Sequence, residues 1–203
     1  SQAAAIVRTA REMVLVLIAI FGSALLLLNG GFVQIWAGAE RYLGDPVNVL
    51  IVLSFAQLAL IRGEAQLQDA SLRVRTKTIV GLASALISVA LGIAAFLAFN
   101  TLVAMYAGLI AGRLGASVVF PMLVRRRIES SRFPWRAFSI TALVLAISAA
   151  LTTVVKPYTL MELILCGAAV VAVAGCFSLA GVSKSTRRRL LRSIPGLGGG
   201  SRA

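Results

Sequence analysis

Six long apolar stretches, separated by short polar segments, make up most of the chain. They cover about 13–35, 46–62, 79–99, 102–124, 137–155 and 159–182. A helix needs about 20 mostly apolar residues to cross the roughly 30 Å hydrocarbon core of a bilayer. The pattern therefore predicts an all-α polytopic membrane protein with six transmembrane helices. We expect one helical bundle over residues 1–183 and a basic tail over residues 184–203.

The composition agrees with a membrane protein and excludes a water-soluble domain. Of the 203 residues, 59% are hydrophobic and only 13% are charged, which leaves too little polar surface for a soluble domain of this size. The first apolar stretch does not read as a signal peptide, because it has no small-residue cleavage site and comparable stretches follow it. Since the chain begins with Ser1 and not with Met, we expect a fragment or a processed product.

The basic residues predict the orientation in the membrane. The formal net charge is +13, and 17 of the 20 basic residues fall on one side of the six predicted helices. The other side holds only Arg41 and Lys156, and Arg113 lies within a span. Because cytoplasmic loops carry the excess of Lys and Arg, we expect both termini to be cytoplasmic. This distribution also accounts for the positive charge without a nucleic-acid partner. The 17 residues are Arg8, Arg11, Arg62, Arg73, Arg75, Lys77, Arg125, Arg126, Arg127, Arg132, Arg136, Lys184, Arg187, Arg188, Arg189, Arg192 and Arg202.

Arg113, in the segment "GLIAGRLGAS" (108–117), is the charge that fits its surroundings least. It lies about twelve residues into its span, roughly 18 Å at the rise of an α-helix and near the midplane. The polar residues at matching depth are neutral: Gln57, Ser88 and Ser148. Three interpretations stay open for Arg113, namely hydrogen bonds or contact with water, a carboxylate outside this chain, and an anionic substrate. Gln57 is the second cavity candidate, with an interhelical hydrogen bond as its alternative role.

Two further patterns concern the ends and faces of the predicted helices. Arg62 and Glu64 are candidates for a cytoplasmic entrance, and the alternative is a solvated helix face that continues through Gln66, Gln68 and Asp69. Gly108 and Gly112 form a small-xxx-small pair, which favours close approach of another helix.

The residues that enzymes, metals and cofactors require are sparse in this chain. It has no His, and its seven acidic residues are scattered along the sequence. Cys166 and Cys176 lie ten residues apart on one predicted helix, roughly 15 Å at helical rise, too far apart for a disulfide. No glycine-rich nucleotide loop is present. We therefore expect no enzymatic activity, no metal and no cofactor, and transport is the favoured class of function.

The segment "GGFVQIWAGAERYLGDPVNVLIVLSFAQLAL" (30–60) resembles the seventh-to-eighth helix region of the polysaccharide-transporter (oligosaccharide flippase) family. In that family an aromatic-rich Trp-x-Gly stretch ends one helix and a short outer loop leads to the next. Trp36, Ala37 and Gly38 occupy this pattern. The order of the later elements is also similar: a polar cytoplasmic loop, a tight outer hairpin, a glycine-rich helix that ends in basic residues, and two final spans.

This resemblance implies the C-terminal bundle of a two-bundle transporter whose N-terminal helical half is missing here. The family belongs to the multidrug/oligosaccharidyl-lipid/polysaccharide exporter superfamily. The implied activity is alternating-access flipping of a lipid-linked oligosaccharide or polysaccharide precursor across the plasma (bacterial inner) membrane. The implied partners are a lipid-linked anionic glycan, membrane lipids and the missing half. A non-transporting scaffold or assembly subunit, and a drug exporter of the same superfamily, remain the alternatives.

Overall fold

The computed structural model describes residues 2–69, 74–125, 133–154, 159–183 and 186 of the chain. These residues form helices, one short 3-10 turn and no strand. The seven helices are α1 (Gln2–Ala37), α2 (Asp45–Asp69), α3 (Val74–Phe99), α4 (Leu102–Gly112), α5 (Leu114–Arg125), α6 (Trp135–Leu151) and α7 (Leu160–Gly181). The basic tail predicted over 184–203 lies outside the described residues apart from Thr186, and so do Arg126, Arg127, Arg132 and Lys156.

Every predicted span corresponds to helix, with differences at the ends. The first helix begins at Gln2 and not near 13, and α2 continues beyond the apolar stretch to Asp69. Helix α6 ends at Leu151, four residues before its predicted end. The fourth span differs most, because it consists of two helices, α4 and α5, that meet at Arg113.

The helices are those of a multi-pass membrane protein. Five spans are long and apolar enough to cross a membrane: α1, α2, α3, the α4–α5 pair and α7. Helix α6 is apolar but has only 17 residues, the lower limit of about 17–25 for a transmembrane helix. Large apolar side chains are exposed along the outer helices, as Leu86 and Leu97 on α3 and Ile164 on α7 illustrate. So much exposed apolar surface is expected where helices face lipid.

Helices α1 and α2 form the centre of the bundle. Helix α1 packs against α2, α6 and α7, whereas α2 also contacts α4 and α5. The first two helices are antiparallel, since Asn48 of α2 donates to carbonyls of Leu25 and Leu26 while Glu64 bonds Arg11. Helix α3 packs mainly on α4 and therefore lies at the edge of the described bundle.

Glycines bring α3 and α4 into close contact. A Cβ added to Gly108 would lie 2.5 Å from the carbonyl oxygen of Leu91, and one added to Gly112 would collide with the backbone of Ser88. Ser88, buried in this contact, donates its hydroxyl to the carbonyl of Leu109 at 2.8 Å. The close approach predicted for Gly108 and Gly112 is confirmed. Gly115, one turn further on, faces open space.

Candidate functional site

Arg113 lies where α4 ends and α5 begins. Its backbone N–H bonds the carbonyl of Ile110, three residues earlier, at 3.2 Å, a tighter turn than the four-residue spacing of an α-helix. The half-buried guanidinium donates through Nη1 to the Ser54 hydroxyl at 2.8 Å. No carboxylate pairs with Arg113 among the described residues. A hydrogen bond to a neutral hydroxyl on α2 thus holds this charge at mid-span.

Gln57, one turn along α2 from Ser54, bridges the break between α4 and α5. Its Nε2 donates to the carbonyl of Ile110 and to the hydroxyl of Ser117, both at 3.1 Å. The Ser117 hydroxyl in turn donates to the carbonyl of Arg113 at 3.1 Å. The Oε1 atom of Gln57 is buried and has no hydrogen-bond partner within the described part of the chain. The interhelical role predicted for Gln57 is therefore present.

Arg11 and Glu64 form a buried ion pair nearer the end of α2. Nε of Arg11 lies 2.5 Å from Oε1 of Glu64, and Nη2 donates to Oε2 at 2.8 Å. Both side chains are only 6% exposed. The interpretation of Glu64 as part of a solvated helix face is wrong, because antiparallel packing of α1 and α2 brings Arg11 opposite to it. Arg62, its partner in the predicted entrance, is exposed to the surroundings.

A cleft of about 850 Å³ runs between α2, α5 and the beginning of α6. Its polar lining comes from Arg11, Gln57, Glu64, Ser117 and Arg125, and its apolar lining includes Leu60, Ile61 and Met122. Gln57 and Glu64 of the predicted site therefore share one cleft, whereas Arg62 and Arg113 do not line it. Arg113 adjoins the cleft through Ser117.

A regular spacing connects Arg113 with the residues of α5 that line this cleft, namely Ser117, Pro121 and Arg125. Arg113, Ser117, Pro121 and Arg125 follow one another at intervals of four, which is one face of an α-helix. Pro121 lacks an N–H, so the carbonyl of Ser117 loses its usual partner inside the helix. Ser54, Ser117 and Arg125 belong to the site but are not among the candidates that the sequence pattern predicts. The interval of four from Arg113 was the signal that could have identified Ser117 and Arg125.

Three aromatic rings form the wall of the cleft opposite α5. The ring of Phe133 lies edge-on to Trp135 and Phe138, with centroids 4.9 and 5.7 Å apart. Trp135 is 67% exposed. With Arg125 exposed at the end of α5, this end of the cleft combines a cation with two apolar rings and the amphipathic ring of Trp135.

A second polar cluster joins α1 to the chain that follows α7. The buried Glu12 carboxylate accepts from Arg8 Nε at 3.0 Å and from the Ser183 hydroxyl at 2.9 Å. Thr186 is also buried, and its hydroxyl lies 3.2 Å from that of Thr9. These bonds attach Ser183 and Thr186, which follow α7, to the beginning of α1.

The opposite end of the bundle has its own hydrogen bonds. Asn29 donates to Asn48 at 3.0 Å, and the Tyr42 hydroxyl donates to Asp45 at 2.6 Å. Burial, together with the Asp45 carboxylate, raises the pKa of the Tyr42 hydroxyl above its ordinary value. Asn29, Gly30 and Gly31 all lie within helix, since α1 continues to Ala37.

Comparison with family models, with curated proteins and with solved structures finds no match to this chain. Within the described residues no group of three His, Cys, Asp or Glu side chains could hold a metal ion. The fold and its apolar surfaces define an all-α multi-pass membrane protein with a partly polar cleft between its helices.

Proposed function

We propose that the chain is one helical bundle of a membrane transporter that flips a lipid-linked oligosaccharide or polysaccharide precursor by alternating access. The plasma (bacterial inner) membrane is its proposed location. The observation that carries the proposal is the cleft, in which Gln57, Ser117 and Arg125 line one cavity within the spans. Polar side chains in membrane helices are costly and mark substrate pathways when they face a common cavity.

The lining of the cleft matches the chemistry of such a substrate. A lipid-linked glycan has an apolar anchor, an anionic phosphate and a hydrated sugar. Leu60, Ile61 and Met122 offer apolar contact, and Arg125 offers a cation at the end of α5. The flipping itself breaks no covalent bond, so the protein needs a polar path and a conformational change but no catalytic residue.

The two walls of the cleft support the idea of a second bundle. Helix α2 contacts α4 and α5 on one side, and α6 belongs to the group around α1. Helices α5 and α6, which form the walls of the cleft, therefore pack on different helices, α5 on α2 and α6 on α1. The space between the two walls is open. A second helical half, the partner implied by the resemblance, would close this opening in one of the two alternating states.

A non-transporting scaffold remains the second candidate, because several deep polar side chains are satisfied inside the protein. Arg113 bonds Ser54, Ser88 bonds the Leu109 carbonyl and Thr141 bonds the Leu15 carbonyl. A drug exporter of the same superfamily is the third. In such exporters an intramembrane carboxylate couples transport to an ion, whereas Glu64 already pairs with Arg11.

Water access to Ser117 separates a transporter from a scaffold. We expect Ser117→Cys, in a chain with Cys166→Ser and Cys176→Ser, to react with a membrane-impermeant maleimide, because thiols react as thiolates in contact with water. Leu86→Cys, on the exposed face of α3, should stay unlabelled in lipid. Equal labelling of the two cysteines, or none at Ser117→Cys, would contradict a hydrated cleft.

The transport activity itself needs a direct assay. The full protein, with its partner half if the gene encodes one, is reconstituted in vesicles with a fluorescent polyprenyl-pyrophosphate saccharide. Flipping is followed by the fraction that a membrane-impermeant reductant can reach. We expect Arg125→Ala, which removes the cation at the end of the cleft, to lower the rate at normal protein level, Arg125→Lys to retain more of it, and Arg41→Ala to leave it unchanged. No flipping by the wild type would favour the scaffold.

A further inference from the structure

We propose that a second cavity, between the beginning of α1, the beginning of α6 and the end of α7, binds the phosphate of an anionic glycerophospholipid. We call it the α1–α6–α7 cavity; it is lined by Arg8, Trp135, Arg136, Leu179, Val182 and Ser183, among others. Its volume is about 520 Å³, within the roughly 300–1,000 Å³ of ligand pockets. The site is distinct from the transport cleft, because the two cavities share only Phe133 and Trp135 and none of their charged residues.

Two arginines and one carboxylate, that of Glu12, line the cavity, which leaves it with a net positive charge. Arg136 is exposed, and its guanidinium has no side-chain partner among the described residues. Arg8 uses only its Nε for Glu12, and its side chain is 55% exposed. Its Nη groups are thus available to a ligand. The Glu12 carboxylate is already held by Arg8 and by the backbone N–H and hydroxyl of Ser183.

The first turn of α6 adds donors to these charges. Pro134 precedes the helix and provides no side-chain cap, and the first regular bond runs from Phe138 N–H to the carbonyl of Pro134. The N–H of Trp135 donates to the carbonyl of Phe133 at 2.9 Å, and the other amides of the first turn have no acceptor within the helix. The helix dipole makes this end positive. Arg136 and Ala137, which belong to this turn, both line the cavity. The positive end of α6 therefore adds to the charge of the two arginines.

The remaining walls favour a lipid over a free phosphate ion. Leu179 and Val182 give an apolar surface beside the arginines, and Trp135 is 67% exposed at its edge. Tryptophan prefers the level of the lipid headgroups. The predicted orientation places the cavity at the cytoplasmic leaflet, which carries the anionic lipids. A phosphate bound at the arginines would leave the glycerol and acyl chains against the apolar wall.

Fluorescence of Trp135 provides the test. The full chain with Trp36→Phe has Trp135 as its single tryptophan and is reconstituted in vesicles of brominated phosphatidylglycerol or brominated phosphatidylcholine. We expect stronger quenching by the anionic lipid at equal mole fraction. Arg136→Gln should reduce this preference about fivefold, the effect of one basic residue near an anionic surface. Arg75→Gln removes the same charge from an exposed site at the beginning of α3 and should keep the preference.

The control variant and a competition experiment test the site and the identity of its ligand. An equal preference in Arg136→Gln and Arg75→Gln, or no preference in the parent chain, would overturn the site. Displacement of the anionic lipid by inorganic phosphate as readily as by added phosphatidylglycerol would overturn the lipid as its ligand. Circular dichroism of each variant confirms that the helices are retained, so that a loss of quenching reports binding and not unfolding.

Discussion

Gln57 joins two helices with a single amide group. Its Nε2 reaches both the Ile110 carbonyl and the Ser117 hydroxyl. Ile110 precedes the break at Arg113, so its carbonyl lies where the regular hydrogen bonding of the span changes. In hydrocarbon a carbonyl without a donor is expensive. The side chain of Gln57 therefore helps to keep α4 and α5 together as one span, in addition to facing the cleft.

Replacement of Gln57 by leucine tests this contribution. We expect Gln57→Leu to lower the free energy of unfolding by about 0.6–1.7 kcal/mol, the measured range for hydrogen bonds between membrane helices. Gln34→Leu serves as the control, because the Gln34 side chain has no hydrogen-bond partner in the described part of the chain. Unfolding in mixed micelles with increasing dodecyl sulfate measures both variants. Equal losses would contradict the bridging role.

Substitutions of the Arg11–Glu64 pair test how much this buried ion pair contributes to stability. Glu64→Gln leaves Arg11 buried without its carboxylate, and we expect a loss of about 3–5 kcal/mol, as for other broken buried pairs. Replacing both members by apolar residues, as in Arg11→Met with Glu64→Leu, should recover much of that loss. The same unfolding titration measures both variants. A double variant no more stable than Glu64→Gln would show that the pair itself is not what stabilises this contact.

The contact between α3 and α4 illustrates how a few small residues control the packing of whole elements. Gly108 and Gly112 lie one turn apart and leave room for the backbone of α3. The hydroxyl of Ser88 then comes close enough to bond the Leu109 carbonyl. Since lipid is as apolar as the helix surface, such close packing supplies much of the association between membrane helices.

A methyl group added at Gly112 should push α3 and α4 apart. We expect Gly112→Ala to cost about 1–3 kcal/mol, because the new Cβ meets backbone atoms of Ser88 that have little room to move. Gly115→Ala is the matched control, and it should be neutral or slightly stabilising, since nothing lies within 4 Å of its added Cβ. Thermal unfolding in detergent compares the two. A larger loss at Gly115 would contradict the close packing of α3 on α4.

In the whole molecule, the distribution of charge indicates which side of the membrane one end of the cleft faces. Arg125 lies at one end of the cleft, and it belongs to the side of the six predicted helices to which the sequence assigns 17 of the 20 basic residues. The basic side is predicted to be cytoplasmic. This end of the cleft would then lie towards the cytoplasmic leaflet.

Cysteine labelling in intact cells tests the orientation. Glu40 and Arg62 are both exposed and lie on opposite sides of the predicted membrane. In a chain without Cys166 and Cys176, we expect Glu40→Cys to react with an impermeant maleimide from outside. Arg62→Cys should react only after the membrane is permeabilised. Reversed labelling would place the basic side outside and exclude the predicted topology.

The sequence by itself determined the class of protein, the number of apolar spans and the residues able to pack closely. Span length, charge distribution and the spacing of Gly108 and Gly112 act locally along the chain, so no knowledge of neighbours is needed to interpret them. Only the tertiary structure decided the partners. Arg113 bonds Ser54, and Glu64 bonds Arg11. In both pairs the two residues are more than fifty positions apart in the chain, so their contact depends on the direction and register of the packed helices. For the same reason, the cleft between α2, α5 and α6 was not visible in the sequence, although Gln57 and Glu64, two of the polar residues that line it, were candidates there.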